Sequence, residues 1–365
     1  MNSADTLSFL ETGCISGAAS GKLIVAWGEP TRATLPASTG LSCFAPDYFL
    51  RDPRPWFHFP HSQTLAAEEL SEALESVQSQ THDDPPLTWA APDARLFKET
   101  VEGLLHRIQK GELQKGVPYA FERARLTTPR TSISFRHRLL SRALPAVTGT
   151  RLHLYGLWHQ AEGLLGATPE ILFQWDESRV LHSVAVAGTL AKSPETPRET
   201  EALRLEAFLS DPKELWEHEL VIRGIQQALE PFGNLKIGKT SALELPALYH
   251  LHTPIELPLP ADRDFNDVVQ ALHPTPALGA WPRLAGGAWL RELEEKMPRR
   301  RYGAPFGIVS DSGQARCWVA IRNIQWNADQ LSVGAGCGVV AGSSWQKEWG
   351  ELQAKLQSIH RIFGI

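Results

Sequence analysis

PFGIVSDSGQARCWVAIRNIQWNADQLSVGAGCGVV, residues 305–340, followed by AGSSWQKEWGELQAKLQSIHR, residues 341–361, decides how this chain folds. Runs rich in β-branched and aromatic residues predict strands over 305–310, 315–326 and 330–340. The turns between them are Asp311-Ser312-Gly313 and Asn327-Ala328-Asp329, so the stretch reads as a β-meander. A Ser343-Ser344 pair then opens a helix from about Trp345 to Arg361. Trp345, Trp349, Leu352, Leu356, Ile359 and Phe363 recur at helical spacing and form its core face.

Upstream, strand-like and helix-like segments alternate without an internal repeat. KLIVAWG, 22–28, predicts an early strand, and the Pro-, Phe- and His-rich stretch 49–63 predicts an irregular loop. Ala66 to Val77 reads as a polar helix. DDPPLTWAAP, 83–92, is the best candidate linker, so a small N-terminal subdomain would end there. A helix follows Asp93, with Phe97, Val101, Leu104, Leu105 and Ile108 on one face, and Gly111 ends it.

The bulk numbers bound the function. A chain of 365 residues can bury a large core, and 42% hydrophobic with 21% charged residues is ordinary for a soluble protein. A net charge of −5, with no Lys/Arg run, argues against a nucleic-acid surface, so an anionic substrate needs locally placed cations. Cys14, Cys43, Cys317 and Cys337 are scattered and form no CxxC, which predicts reduced thiols. The start MNSADTLSFLETGC lacks a signal-peptide pattern, and no stretch is apolar enough to span a bilayer; a cytoplasmic protein without membrane or nucleic-acid partners is expected. Thirteen histidines do not argue for zinc, because no HExxH or paired Cys spacing accompanies them.

Two acidic motifs carry the chemistry. Lys213-Glu214-Leu215-Trp216-Glu217-His218 and Glu348-Trp349-Gly350-Glu351, with Lys355 one turn on, each place two carboxylates at i and i+3 of a helix. Brought face to face, four carboxylates suit Mg2+, a hard cation that keeps open positions for water or an anionic ligand. Each motif also has a plain reading. Asp211-Pro212-Lys213-Glu214 is a capping-box pattern, and Glu348, Glu351 and Lys355 fit a solvated face with one ion pair. Glu217 resists that reading, because Val221 and Ile225 follow it on an apolar stripe. In the strand-like segment 113–121, alternation puts Lys115 beside Leu113, Val117 and Tyr119. Either the lysine is buried and paired or, as Pro118 favours, it points to solvent from an edge strand. Arg322 shares a face with Trp318, Ala320, Ile324 and Trp326, which calls for a buried anion or a structural ion pair.

In chain order, Lys115 is followed by Ala167-Thr168-Pro169-Glu170, Val186-Ala187-Gly188-Thr189, KELWEHELV at 213–221 and Tyr249-His250-Leu251-His252-Thr253-Pro254. Then come Leu272-His273-Pro274-Thr275-Pro276-Ala277-Leu278-Gly279, Arg301-Tyr302-Gly303, Val319-Ala320-Ile321-Arg322, Gly336-Cys337-Gly338-Val339-Val340 and EWGELQAK at 348–355. This series resembles the chorismate-utilising enzyme family over roughly residues 93–365, while residues 1–92 match only loosely. The resemblance implies an α+β fold in a single large domain, 1–365, in which two antiparallel sheets pack as a sandwich with helices on the outer faces. Lys115 matches the branches that activate water, the isochorismate and salicylate synthases; anthranilate synthases carry Gln there. Ala187 stands where aminodeoxychorismate synthases carry a nucleophilic lysine, which argues against that branch. HPTPALGAWP looks like the isochorismate synthase pattern.

What the resemblance implies is therefore a Mg2+-dependent isochorismate synthase, an isomerase acting on chorismate. Salicylate synthase is the nearest alternative, then anthranilate synthase component I, then a non-catalytic chorismate-binding protein. By resemblance Lys115 is the base and Glu170 the acid. Glu217 and Glu351 hold Mg2+, with Glu214 and Glu348 direct or through water. Arg322 and Tyr302, with Gly336 and Gly338, take the enolpyruvyl carboxylate; Gly188, Thr189, His250 and Lys355 complete the pocket. A monomer without an amidotransferase subunit is implied, in menaquinone, siderophore or salicylate formation. One departure stands out: the usual Lys-Val-Val-x-Ala-Arg reads Lys115-Gly116-Val117-Pro118-Tyr119-Ala120.

Overall fold

A computed structural model of the chain describes residues 1–17, 21–78, 87–125, 133–192 and 197–365. Among these, the strands form two large antiparallel sheets and one small one. The first sheet runs, edge to edge, through His61–Leu65, Leu23–Trp27, Gly13–Gly17, His153–His159, Glu162–Thr168, Asn323–Asn327, Gln330–Gly336, Tyr119–Arg125 and Trp89–Ala90. The second runs through Lys236–Ile237, Leu248–Pro258, Val180–Ala191, Ile171–Trp175, Ala315–Val319, Pro305–Val309, Ser42–Phe44, Trp56–His58 and Thr31–Ala33, with Ser241–Glu244 also paired to Leu248–Pro258.

Apolar side chains explain why the two sheets stack. Cys14, Ala26, Tyr155, Leu157 and Leu164 of the first sheet meet Cys43, Phe57, Phe306, Ile308 and Trp318 of the second in one buried cluster. Burying such surfaces contributes about 25 cal/mol per Å² of apolar area, so the layers have a strong reason to close. Helices cover the outer faces. Ile133–Val147 and Trp345–Phe363 pack on each other and on the first sheet, and Pro212–Leu229 lies along Val180–Ala191 of the second. Phe265, from the helix Phe265–Leu272, seats its ring among Phe44, Trp56 and Phe173. This is the α+β sandwich that the resemblance implies.

Several local readings change. The stretch 49–63 is not all loop, because Trp56–His58 and His61–Leu65 are strands, one in each large sheet. The linker at 83–92 lies outside the described residues up to 86, and Trp89–Ala90 pairs as an edge strand. Residues 315–326 are not one strand. Ala315–Val319 belongs to the second sheet and Asn323–Asn327 to the first, and the chain crosses between them at 320–322, with Arg322 at φ +54°. Alternation gave no warning, because both arms of the crossing bury side chains on both faces and so lack a polar side to mark the break. Likewise 330–340 divides into Gln330–Gly336 and Val339–Val340. The predicted helices hold: Ala94–Gln109 is capped by the Asp93 carboxylate accepting from Leu96 N–H, and the last helix runs Trp345–Phe363 from Ser344.

Candidate active site

Two side-by-side crossings between the sheets build one wall of a cavity. The chain passes from first to second sheet at Pro169-Glu170 and returns at Ala320–Arg322. The crossings hold each other: Ala167 N–H donates to Arg322 C=O at 3.0 Å, and Val319 N–H donates to Glu170 C=O at 3.1 Å. Tyr155 Oη–H donates to Ile321 C=O at 2.8 Å and receives Asn323 Nδ2–H at 2.9 Å. Backbone bonds thus fix where Glu170 and Arg322 emerge. Arg322 donates to Ser358 Oγ at 2.5 Å, and burial lowers its guanidinium to about 10. Burial raises the Glu170 carboxyl to about 7, against the pull of Lys115, Lys355 and Arg322.

The opposite wall comes from two helices, Pro212–Leu229 and Trp345–Phe363. They bring Glu214, Glu217, Glu348 and Glu351 together with three lysines. Lys115 Nζ donates to Glu217 Oε1 at 2.8 Å, Lys213 bridges Glu214 at 3.1 Å and Glu348 at 3.2 Å, and Lys355 meets Glu351 at 2.6 Å. Burial and neighbouring carboxylates push Glu348 and Glu214 upward despite Lys213, whereas Lys355 outweighs burial to hold Glu351 down. Glu348 is 1% exposed, so the solvated-face reading fails. The capping box is incomplete as well. Asp211 accepts from Lys213 and Glu214 N–H, but the Glu214 carboxylate turns away to Thr189 N–H at 3.2 Å.

Lys115 is 0% exposed and sits in the middle strand of the small sheet, Lys115–Gly116, between Ala280–Trp281 and Val339–Val340. The solvent-facing edge reading is therefore excluded. Its departure from the family pattern has a packing reason: a Cβ on Gly116 would lie 2.8 Å from Leu104 Cδ2 and 2.9 Å from Trp289 Cζ3. Gly338 is required for a different reason. A Cβ there would fall 1.7 Å from Glu217 Oε1 and 3.0 Å from Lys115 Nζ, so glycine lets the ion pair close.

The cavity has a volume of about 60 Å³ and opens to solvent. Glu170, Gly188, Thr189, Glu217, His250, Tyr302, Arg322, Gly336, Gly338, Glu351 and Lys355 all line it. Lys115, Glu214 and Glu348 do not; Lys115 stands behind Glu217. His250 Nδ1–H donates to Gly188 C=O at 2.8 Å, which leaves Nε2 with its lone pair, and burial lowers the ring to about 3. Thr189 Oγ1–H donates to Glu351 at 2.9 Å, and Lys355 donates to Gly336 C=O at 2.9 Å. Burial raises the Tyr302 phenol to about 12. Sequence reasoning assigned no role to Ala277 and Leu278, which also line the cavity, or to Lys213. The signal was present in both cases, within the PTPAL and KEL segments. Ala187 lines the cavity without an amine.

Among the described residues no three His, Cys, Asp or Glu side chains stand close enough to enclose a metal ion. The donor set nevertheless suits a hard divalent cation: four carboxylates share one wall, and burial together with their mutual repulsion pushes two of them up.

Residues 59–364 match the family model described as "Chorismate binding enzyme". The chain belongs to that family. A salicylate biosynthesis isochorismate synthase of Pseudomonas aeruginosa is 36% identical over 197 residues, 53% of this chain and 40% of that protein. The chain thus aligns with less than half of that relative's length. Isochorismate synthase DhbC of Bacillus subtilis is 31% identical over 281 residues, 75% of this chain and 69% of the relative. In fold, this chorismate-binding enzyme is like a crystal structure described as a putative 2,3-dihydroxybenzoate-specific isochorismate synthase from Bacillus anthracis. The TM-score is 0.80 at 22% identity, covering 99% of both chains.

Proposed function

We propose that this chorismate-binding enzyme is an isochorismate synthase, which moves the hydroxyl of chorismate from ring C4 to C2 with transposition of the double bonds. The observation that carries the reading is Glu170, a buried carboxyl held near 7 on the cavity wall and facing a lysine-bearing acidic wall. The reaction needs an acid at the departing C4 hydroxyl and a base to take a proton from the water entering at C2. Glu170 supplies the acid. Lys115 supplies the base, and its turn begins when Glu217, its present partner, takes another. Arg322 and Tyr302 receive the enolpyruvyl carboxylate, and Lys355 and Thr189 orient Glu351. His250 is held neutral, a hydrogen-bonding wall rather than a proton carrier.

Glu217 and Glu351 would hold Mg2+, with Glu214 and Glu348 direct or through water. When bound, the ion supplies positive charge for the ring carboxylate of a dianionic substrate. Water as the nucleophile requires no amidotransferase subunit. The domain reading is 1–365 as one unit, because strands between 13 and 65 complete both large sheets. Among the described residues no helix is long and apolar enough to cross a membrane.

The test is to incubate the protein with chorismate and Mg2+, with and without ammonium, and separate the products. Isochorismate approaching equilibrium with chorismate, and abolished by EDTA, is expected. Salicylate plus pyruvate, anthranilate formed only with ammonium, or binding without turnover would each replace the reading with a named alternative.

A further inference from the structure

We propose that Cys14 and Cys43 are a site of reversible oxidation, forming a disulfide that staples the two large sheets. Cys14 lies on Gly13–Gly17 of the first sheet and Cys43 on Ser42–Phe44 of the second. Their sulfurs are 2.8 Å apart and both side chains are buried. Unbonded heavy atoms settle at about 3.5–4 Å, whereas a disulfide spans about 2.05 Å. The pair already stands inside contact distance, and closing it asks for less than ~1 Å of movement. The remaining thiols differ. Cys317 donates to the Trp318 carbonyl at 3.8 Å, and Cys337 belongs to the cavity's glycine-rich turn.

The surroundings say what kind of chemistry this is. Ala26, Ala45, Phe57, Leu157, Phe306 and Trp318 enclose the two sulfurs' cluster, and none of these offers a cation or an imidazole. Burial pushes the Cys14 thiol well up, so nothing here makes a reactive thiolate for a substrate. Pairing with each other is the chemistry left. With a low-molecular-weight disulfide such as oxidised glutathione, one cysteine loses its proton as the layers part and attacks a glutathione sulfur. It expels one glutathione thiolate and forms a mixed disulfide. The second cysteine, deprotonated in turn, attacks the bonded cysteine sulfur and expels the other glutathione. The pair is oxidised by two electrons, and the oxidant is reduced to two thiols.

The staple closes a loop from 14 to 43 and constrains the unfolded chain accordingly. It also sits behind the return crossing: Ala320 belongs to the same buried cluster, as does Tyr155, which donates to Ile321 C=O. Oxidation therefore stiffens the support of Arg322 without touching the cavity.

The experiment incubates the full-length protein with oxidised and reduced glutathione at graded ratios, just below its unfolding midpoint. Alkylation, digestion and mass spectrometry follow, with thermal unfolding measured in parallel. Expected are one cross-link joining the Cys14 and Cys43 peptides with loss of two hydrogens, alkylated Cys317 and Cys337, and a midpoint raised by several degrees that dithiothreitol reverses. C43A shows neither cross-link nor shift, and the wild-type measurement stands whether or not that variant folds. Four alkylated cysteines, under conditions where a denatured sample forms disulfides, would overturn the proposal. So would a cross-link that appears only after denaturation.

Discussion

The two walls of the cavity place charge by different means. On the crossing wall, backbone hydrogen bonds fix Glu170 and Arg322, and burial raises the Glu170 carboxyl to about 7. On the helical wall, four glutamates and three lysines hold one another by ion pairs, with no backbone partner among the described residues fixing the carboxylates of Glu217 or Glu348. The first construction is rigid and tuned in pKa. The second is a charge balance that an incoming cation and a dianionic ligand can redistribute, since each lysine is a replaceable partner.

The largest test of that contrast removes the proposed proton carriers, one from each wall. K115A and E170Q should each lower kcat by about 10²–10⁴-fold, the usual range for a positioned acid or base, as measured by isochorismate formation. Either variant turning over like wild type would break the proposed division of labour. Next comes the charge balance. E217Q and E351Q should abolish both activity and the heat of Mg2+ binding in calorimetry, while folding, read by circular dichroism, persists. Mg2+ binding left intact in both would remove the helical wall's assigned role.

On the rigid wall, R322M should raise KM for chorismate by about 10–100-fold, the worth of a charge-assisted hydrogen bond of about 1.5–3 kcal/mol. An unchanged KM would place the enolpyruvyl carboxylate elsewhere. The smallest expected effect is in pH. Glu170 has a folded value of about 7, above its ordinary 4.5, so its protonated form is favoured in the folded protein. Its contribution to stability is complete below the unfolded value and is lost as pH rises through 7. Activity that uses it as an acid should fall likewise, with kcat/KM declining as pH rises above about 7. A profile flat from 6 to 9 would assign the acid to another group.

Much of this was legible in the chain. Helices announced themselves through caps and stripes, as Asp93 and Asp211 show by accepting their predicted first-turn N–H groups. The i and i+3 glutamates were evident for the same reason, since helical spacing is a local property. The crossing at Arg322 was not legible, because unbroken alternation concealed a change of sheet. Nor was the setting of Lys115, where a proline three residues later pointed to an edge and two strands from distant parts of the chain cover it instead.

The sequence by itself therefore determined which residues carry charge, on which elements, and which family they resemble, since these follow from local periodicity and chain order. Tertiary structure alone decided the pairings: Lys115 with Glu217, Lys213 between Glu214 and Glu348, and Glu170 beside Arg322. Lys115 with Glu217 and Lys213 with Glu348 pair across one hundred or more residues, and no local pattern encodes that distance.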